Sequence, residues 1–475
     1  MGENIVKNTY NKVRTAYKDT TLKNMYPSRY LAAAKKPVIP GYVVFLEVRE
    51  KELSDNFRLI RSALEHRNQG RTAMEAWTFD TVLIREGMEN QASTMMRCLS
   101  AIPKLARAEF IFVSESSYFL SSLPLRQETT VIQTWHACGA FKKFGWSVVG
   151  KGFGTTAEDL EKYPVHRNFS YVTVSSAEVV WAYAEAFRME DRAEDILPVG
   201  VSRTDIYFRP KVRQHAAIRL RRILEERIPA LREEPAPAPE GSARSMEALR
   251  KIAALSGKQS AEDGESGMAG GNGTLTGRNL ERVFQNKKLI LYAPTYRGSV
   301  REARSPDRLD LPALKEELGD GFIIMIRQHP FVKKKAEIPK DASDFAVDVS
   351  DLKIEDLIMA SDMLITDYSS IVFEYSLFEK PMIFFAYDLE DYEKQRGFYY
   401  PVRELMPGPV CTDLHDVSRE IRRMESGFDR MKVRAFKYRF MGGCDGHATS
   451  RVLALMDKTR MKKEKHPDTE GLRNG

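Results

Sequence analysis

The sequence predicts an α/β fold made of two Rossmann-like domains that face each other across a cleft. Short apolar runs alternate with helical patterns before residue 200, and a second alternating series begins near residue 288. Between them, residues 233–278 are rich in Pro, Ala, Gly, Ser and Glu. Because strands that alternate with helices form parallel sheets covered on both faces, each series predicts one domain.

The first series predicts a parallel sheet from apolar runs of strand length. The strands are expected at 43–46, 81–84, 110–113, 130–134 and 171–174. Asp55 and Asn56 are expected to cap the first intervening helix, and a second helix is predicted at 95–105. Ser175 and Ser176 are expected to cap a helix that begins near Ala177. A basic helix is predicted at about 212–227.

The second series predicts strands at 288–292, 322–326, 363–365 and 382–385, with a helix at 354–359. The segment 233–278 lacks large apolar residues over much of its length, so it is predicted to be a disordered insertion. The expected organisation is a basic lead-in (1–37), a first Rossmann-like domain (38–200), a second Rossmann-like domain (201–455) that contains the insertion, and a basic tail (456–475).

The stretch 361–381 reads as strand, turn, helix and strand. An apolar run is followed by a polar turn that contains Asp367, Ser369 and Ser370, and an apolar helical face begins at Ile371. A helix N-terminus in such a unit suits an anionic group, to which the two serine hydroxyls could donate while Asp367 orients them or binds a sugar hydroxyl. The alternative is that Asp367 or Ser369 only caps the helix.

The net charge of +7 is concentrated at the two ends of the chain. Such basic ends suit an anionic membrane surface, a polyanionic substrate or nucleic acid, whereas the alternative is a solvated tail. The sequence has no zinc-finger, helix-turn-helix or basic-aromatic strand pattern that would indicate nucleic-acid binding. No apolar run approaches the roughly 20 residues of a membrane span, and no signal peptide is recognisable, so a cytosolic or cytosolic-face location is expected. Four scattered cysteines suggest neither a disulfide framework nor a zinc site.

Two histidines stand at predicted strand ends. His136 follows the strand at 130–134, and His329 follows the strand at 322–326. Ligands of open α/β sheets bind at the carboxyl ends of strands, so these two histidines are candidate site residues, although a lone histidine is more often structural. The histidines at 166, 215, 415, 447 and 466 lack this context and are interpreted as surface or packing residues.

Six segments together carry a family resemblance. In order they are QTWHACGAFKKFG, LPVGVSRTD, ILYAPTYR, IRQHP, SDMLITDYSSIVFEYSLFEKPMIFF and CDGHATSRV. This series resembles the CDP-glycerol glycerophosphotransferase family of teichoic acid polymerases and primases. The resemblance implies a fold similar to two-domain glycosyltransferases of the GT-B type. It also implies a peripheral enzyme on the cytosolic face of the membrane.

The resemblance also implies roles for particular residues. His136 would be the general base on the acceptor hydroxyl, whereas Arg327 and His329 would hold the donor pyrophosphate or assist the departure of CMP. Phosphate contacts are expected from Thr366, Ser369 and Ser370, and nucleotide or other donor contacts from Arg203, Asp205, Thr295, Arg297 and Asp367. His136 and His329 are thus the expected catalytic residues.

The resemblance implies transfer of glycerol phosphate from CDP-glycerol to a hydroxyl of a lipid-linked teichoic-acid-type polymer or primer, with release of CMP. Ribitol-phosphate transfer from CDP-ribitol, a glycosyltransferase that uses a nucleotide sugar, and a non-catalytic polyanion-binding protein are the alternatives. No metal cofactor is expected to be required, although a divalent ion accompanying the pyrophosphate stays open. The common family motif W-H-G-T-P reads Trp135-His136-Ala137-Cys138-Gly139 here, so the acceptor contacts can differ.

Overall fold

A computed structural model describes residues 15–72, 75–151, 156–232, 287–298, 302–306 and 308–465. The predicted insertion at 233–278, the first part of the lead-in and the end of the tail lie outside these residues. Contacts divide the chain into two compact units. The first contains 1–212, 293–295 and 364–475, and the second contains 213–292 and 296–363. The predicted domain bounds stay a prediction.

The first unit contains a parallel six-stranded sheet formed by the N-terminal half. Its strands are β1 (Ile39–Glu47), β2 (Thr78–Leu83), β3 (Ala108–Val113), β4 (Thr130–Gln133), β5 (Tyr171–Thr173) and β6 (Ile196–Leu197). Their order is β2-β1-β3-β4-β5-β6. Every position of β3 is buried, as its apolar run at 110–113 predicts for a strand covered on both faces. The predicted parallel sheet is therefore confirmed.

The helices of the N-terminal half lie between these strands. They are α1 (Tyr26–Ala33), α2 (Asp55–Arg67), α3 (Gln91–Leu105), α4 (Tyr118–Ser122), α5 (Ala157–Lys162) and α6 (Val180–Phe187), followed by α7 (Pro210–Arg227). The predicted cap of α2 is wrong, because the N-cap of this helix is Ser54. Ser176 occupies the expected N-cap position before a short 3-10 turn that begins at Ala177, but its side chain accepts no capping hydrogen bond. Asn56 and Ser175 have other partners, described below.

The second series forms another six-stranded sheet. In the second unit, β7 (Lys288–Tyr292), β8 (Phe322–Ile326) and β9 (Ala346–Asp348) pair in parallel, with helices α8 (Leu311–Leu318) and α9 (Ile354–Ala360). The remaining strands, β10 (Met363–Thr366), β11 (Met382–Phe385) and β12 (Val410–Cys411), also pair in parallel. Between β10 and β11 lies α10 (Ile371–Ser376), which is shorter than its apolar pattern suggested.

The C-terminal part of the first unit is helical. It contains α11 (Leu389–Arg396), α12 (Val402–Leu405), α13 (Leu414–Ser426), α14 (Arg430–Met441) and α15 (Ala448–Lys465). Val452 and Met456 of α15 pack into the same core as Phe45, Phe57 and Phe112 of the N-terminal half. The last helix is thus part of the N-terminal core, and the first ten residues of the predicted tail continue this helix. None of the helices in the described ranges is long and apolar enough to span a membrane.

Candidate functional site

The loop after β4 turns sharply and presents His136. Trp135 adopts a left-handed backbone conformation (φ 54°), which is uncommon for a bulky residue. The side chain of Gln133 supports this turn by accepting a 2.8 Å hydrogen bond from the Trp135 amide. The indole packs among rings that include Phe144 and Phe187, with centroids 5.1 and 5.3 Å away. Trp135 is buried as a result, whereas the next side chain, His136, is exposed.

His136 Nδ1 lies 3.4 Å from the carbonyl oxygen of Ser114. If Nδ1 carries the proton and donates a hydrogen bond to this carbonyl, Nε2 is the basic nitrogen. Desolvation by the surrounding protein lowers the pKa of the imidazole, and repulsion from the guanidinium groups of Arg203 and Arg49 acts in the same direction, whereas the contact with the Ser114 carbonyl acts to raise the pKa. The neutral form, which can accept a proton, is therefore favoured at pH 7.

A buried carboxylate supports this contact. Glu47 ends β1, and its Oε2 accepts a 3.1 Å hydrogen bond from the Ser114 hydroxyl, while its Oε1 accepts one of 2.7 Å from the Ser54 amide. Because β1, β3 and β4 end at the same edge of a parallel sheet, Glu47, Ser114 and His136 meet there. Burial raises the pKa of the Glu47 carboxyl. Sequence analysis missed this residue because an acidic side chain at the end of an apolar run carries no local signal of a partner.

Arg203 holds the His136 loop against α10. Its Nη1 donates a 2.8 Å hydrogen bond to the His136 carbonyl, and its Nε and Nη2 pair with the two carboxylate oxygens of Glu374 at 3.1 and 2.9 Å. Burial acts to lower the pKa of Arg203 and to raise that of Glu374, but their mutual attraction outweighs it, so the pKa of Arg203 is raised and that of Glu374 is lowered. Arg203 is therefore part of an internal ion pair in this structure.

Asn56 joins the same loop to the turn that carries Arg203. Its Nδ2 donates to the Trp135 carbonyl at 3.2 Å, and its Oδ1 accepts from the Arg203 amide at 2.8 Å. The residue is 3% exposed. The side chain predicted to cap α2 thus connects two motifs that are far apart in sequence.

Gly139 lets the His136 loop approach α10 closely. Its φ is 65°, and an added Cβ would lie 2.4 Å from the Phe373 ring. The Gly139 amide donates to the Ser175 hydroxyl at 2.9 Å, and that hydroxyl donates to the Phe440 carbonyl at 2.7 Å. A side chain at position 139 would clash with Phe373, so only glycine allows this contact without displacement.

Asp205 caps the last helix. Its two carboxylate oxygens accept hydrogen bonds from the amides of Ala448 and Thr449 at 3.0 and 2.8 Å, at the start of α15. The residue is 5% exposed. The observed contacts of Asp205 are therefore those of a helix cap, and its expected contact with the donor stays a prediction.

The turn after β10 divides into a buried and an accessible part. The Thr366 hydroxyl donates to the Ala293 carbonyl at 2.8 Å, and Asp367 Oδ1 accepts from the amides of Thr295 and Tyr368 at 2.8 and 2.6 Å. These contacts hold the turn together. Ser369 and Ser370 are half-buried. The Ser369 hydroxyl accepts from the Ile371 amide at 3.4 Å, so Ser369 rather than Asp367 interacts with the start of α10.

In the second unit, two motifs meet at the carboxyl ends of neighbouring strands. β7 and β8 are parallel, and the Arg327 amide donates to the Tyr292 carbonyl at 2.9 Å. The rings of Tyr296 and His329 lie 4.7 Å apart. Arg297 exchanges two backbone hydrogen bonds with Arg304, and burial lowers the pKa of the Arg327 guanidinium. The structure thus brings Arg327, His329 and the ILYAPTYR segment together.

The four cysteines are free and buried. Within the described ranges, no group of three or more His, Cys, Asp and Glu side chains could hold a metal ion. The structural supports around His136, namely Glu47, Asn56, Ser175 and Glu374, were not predicted as site residues.

Comparisons with known proteins cover most of the chain. The family model described as CDP-glycerol:poly(glycerophosphate) glycerophosphotransferase matches residues 28–227 and 278–458. The gap between these two matched ranges coincides with the predicted insertion. The chain is 33% identical over 435 residues to the teichoic acid ribitol-phosphate primase of Bacillus spizizenii, covering 91% of this chain and 95% of the primase.

A glycerol-phosphate primase is also similar. The teichoic acid glycerol-phosphate primase of Bacillus subtilis is 27% identical over 411 residues, covering 84% of this chain and 88% of the primase. Among solved structures, a variant of the wall teichoic acid polymerase TagF has a TM-score of 0.65 at 23% identity, covering 97% of this chain and 99% of that chain. This likeness in fold confirms the GT-B-type architecture.

Proposed function

The chain belongs to the CDP-glycerol:poly(glycerophosphate) glycerophosphotransferase family, and on this premise we propose that it transfers a polyol phosphate from a CDP-activated polyol to a hydroxyl of a teichoic acid acceptor. Family membership confirms the resemblance found in the sequence and supports teichoic acid phosphate-polyol transfer. The identity of the polyol, the acceptor and the released nucleotide are parts of the proposal.

The proposed reaction joins an acceptor oxygen to the β-phosphorus of the donor. The bond between that phosphorus and the bridging oxygen breaks, CMP leaves with that oxygen, and His136 Nε2 takes the proton of the attacking hydroxyl. The observation that carries this role is the exposed side chain of His136 at the strand edge, with its Nδ1 3.4 Å from the Ser114 carbonyl and its main-chain carbonyl bound by Arg203. General-base catalysis of this kind typically contributes about 10²–10⁴-fold.

The donor phosphates are proposed to bind to cationic and hydroxyl side chains. Arg327 and His329 supply charge and hydrogen bonds in the second unit, and Ser369 and Ser370 supply hydroxyl donors after β10. Such groups stabilise the charge that spreads over the phosphoryl oxygens in the transition state. We expect no metal cofactor to be required, with a divalent ion bound to the pyrophosphate as the alternative.

Glycerol and ribitol are both candidates for the transferred polyol. The family description favours glycerol, whereas the 33% identity to a ribitol-phosphate primase favours ribitol. The chain matches two primases over almost their whole lengths, which supports addition of one or a few units to a lipid-linked acceptor. A peripheral position on the cytosolic face of the membrane, which would bring the enzyme to such an acceptor, is part of the proposal.

A donor panel tests the proposed function. Purified protein is incubated with a lipid-linked acceptor and CDP-glycerol, CDP-ribitol or a UDP-sugar, with and without EDTA, and the released nucleotide and lengthened lipid are identified together. We expect CMP and one added polyol phosphate with one of the CDP-polyols. Turnover of the UDP-sugar alone would identify a glycosyltransferase, and no turnover with any donor would favour a polyanion-binding protein. Inhibition by EDTA would identify a divalent ion requirement.

A further inference from the structure

A pocket of about 380 Å³ in the first unit lies beside the aromatic cluster that supports the His136 loop. Three arginines line it, Arg167, Arg188 and Arg192, against one carboxylate, Glu161. Aromatic and aliphatic side chains form the rest of the wall. The pocket therefore combines positive charge with apolar surface.

His166 lines the pocket and is 8% exposed. Its Nδ1 has no hydrogen-bond partner within the described part of the chain. Buried polar atoms are nearly always paired in folded proteins, so an unpaired imidazole nitrogen needs an explanation. Burial lowers the pKa of this histidine to about 4. A bound anion that accepts a hydrogen bond from the protonated Nδ1 would satisfy it.

The arginines are held in place by neighbouring groups. The Arg188 guanidinium stacks on the Trp146 ring, with its carbon 3.4 Å from the centroid. Its Nη2 lies 3.9 Å from the Glu161 carboxylate in an exposed ion pair, which is longer than a hydrogen bond. Stacking occupies the face of a guanidinium and leaves its N–H edge for other partners. Arg192 donates to Asp195 and to the carbonyl of Phe169. Preorganised guanidinium groups suit phosphate oxygens, which they bind through paired hydrogen bonds.

The pocket is connected to the proposed acceptor site through one ring. Phe187 lies 4.7 Å from His166 and 5.3 Å from Trp135, measured between ring centroids. Trp135 directly precedes His136. A group bound in the pocket is thus linked by ring packing to the loop that carries the proposed base.

We propose that this pocket binds a phosphodiester group of the acceptor chain, at a unit other than the one that reacts. The inference rests on the proposed function, because a teichoic acid acceptor carries phosphate groups that alternate with carbon segments. The guanidinium groups bind the phosphate oxygens, and the apolar wall contacts the carbon segment beside them. Inorganic phosphate and a nucleoside diphosphate carry similar anionic groups, so the test must distinguish these ligands from the diester.

Nuclear magnetic resonance of the His166 ring tests the site without any turnover. The full chain is titrated separately with a synthetic diester of two glycerols joined by one phosphate, with inorganic phosphate and with CDP. We expect the diester to shift the His166 signals and to raise the pKa of the ring, since an adjacent anion favours the protonated form. In Arg188→Gln the apparent affinity for the diester should fall about tenfold, as expected for one lost charge-assisted contact.

Arg222→Gln is the matched control, because Arg222 is an exposed helical arginine paired with a glutamate four residues away. It should bind the diester as the unaltered chain does. In the transfer assay, Arg188→Gln should raise the KM for acceptor while leaving kcat and the KM for donor unchanged. Perturbation of His166 by CDP but not by the diester would overturn the inference in favour of a donor site. No perturbation by any of the three anions would also overturn it, whether or not the enzyme transfers polyol phosphate.

Discussion

Arg203 and Glu374 form a two-point ion pair that fixes the loop of the proposed base to α10. The pair uses Nε and Nη2 of the arginine, and the third donor, Nη1, reaches the His136 carbonyl. The two side chains are only 14% and 12% exposed. Tyr207 donates a further 3.0 Å hydrogen bond to Glu374. A buried charge pair therefore joins the loop to the helix after the DYSS turn.

Glu374→Gln should destabilise the protein by about 3–5 kcal/mol, because the Arg203 charge would remain buried without its counter-ion. Urea unfolding at pH 7 measures this loss. Glu65→Gln is the control, since Glu65 forms an exposed i,i+4 pair with Arg61 and pairs of that kind contribute about 0.2–1 kcal/mol. A cost for Glu374→Gln no greater than that of the control would show that the pair is not structural.

Glu379 should make stability depend on acidity. Its carboxylate accepts hydrogen bonds from Arg430, Arg434 and Lys437. Burial acts to raise the pKa of this carboxyl, but these cations outweigh it and lower the pKa from 4.5 to about 2. The folded state therefore ionises more readily than the unfolded state. The contribution of ionised Glu379 to the free energy of unfolding should be complete above pH 4.5 and should be lost as the pH falls from there toward about 2.

The measurement compares the free energy of unfolding of the unaltered chain and of Glu379→Gln at a series of pH values from 7 to 3. The difference should be constant from pH 7 to about 5 and should shrink below that. A difference that stayed constant down to pH 3 would show that the cluster of cations does not lower the pKa of this carboxyl.

The sequence predicted the sheets more completely than the site, for a physical reason. Apolar runs such as 322–326 and 382–385 match β8 and β11 residue for residue, because burial of a strand depends on its own side chains. The position of His136 at a strand end was also predictable. The contacts of Arg203 were not, since they join residues 171 positions apart, and local patterns do not indicate such partners.

The donor side of the proposed site predicts a loss of binding together with a loss of rate. Replacing His329 or Ser369 with alanine removes a hydrogen-bond donor from a partly desolvated phosphate, which should cost about 1–3 kcal/mol, or roughly 5–150-fold in donor affinity. Calorimetry with CDP-glycerol and CDP-ribitol measures it. Ser426→Ala is a control, because the Ser426 hydroxyl makes only an exposed contact to its own helix. Donor binding that is unchanged in both site variants would exclude them from the donor site.

The basic end of α15 predicts reversible attachment to anionic membranes. Arg460 pairs with Glu109 and Lys463 contacts Thr130, whereas the lysines at 458, 462 and 465 are exposed and available to lipid. Near an anionic lipid surface each lysine contributes about 1 kcal/mol to the free energy of membrane binding. Changing all three to glutamine should weaken sedimentation with anionic vesicles, whereas changing the lysines at 333, 334 and 335 should have less effect. Binding that does not weaken with added salt, or that is equally strong on neutral vesicles, would contradict this electrostatic attachment.

If His136 is the general base, its replacement should abolish transfer without weakening donor binding. His136→Ala should lower the rate by about 10²–10⁴-fold and leave the affinity for the CDP-polyol close to normal. The control is His66→Ala, which replaces an exposed histidine of α2.

The pH profile tests the same role, because the pKa of His136 is lowered from 6.5 to about 4 and the neutral ring is the base. The rate should therefore stay level as the pH falls from 8 to 6.5 and should decline only at a midpoint between about 4 and 6.5. A variant that loses donor affinity as badly as His329→Ala, or that keeps near-normal turnover, would place the general base on another residue.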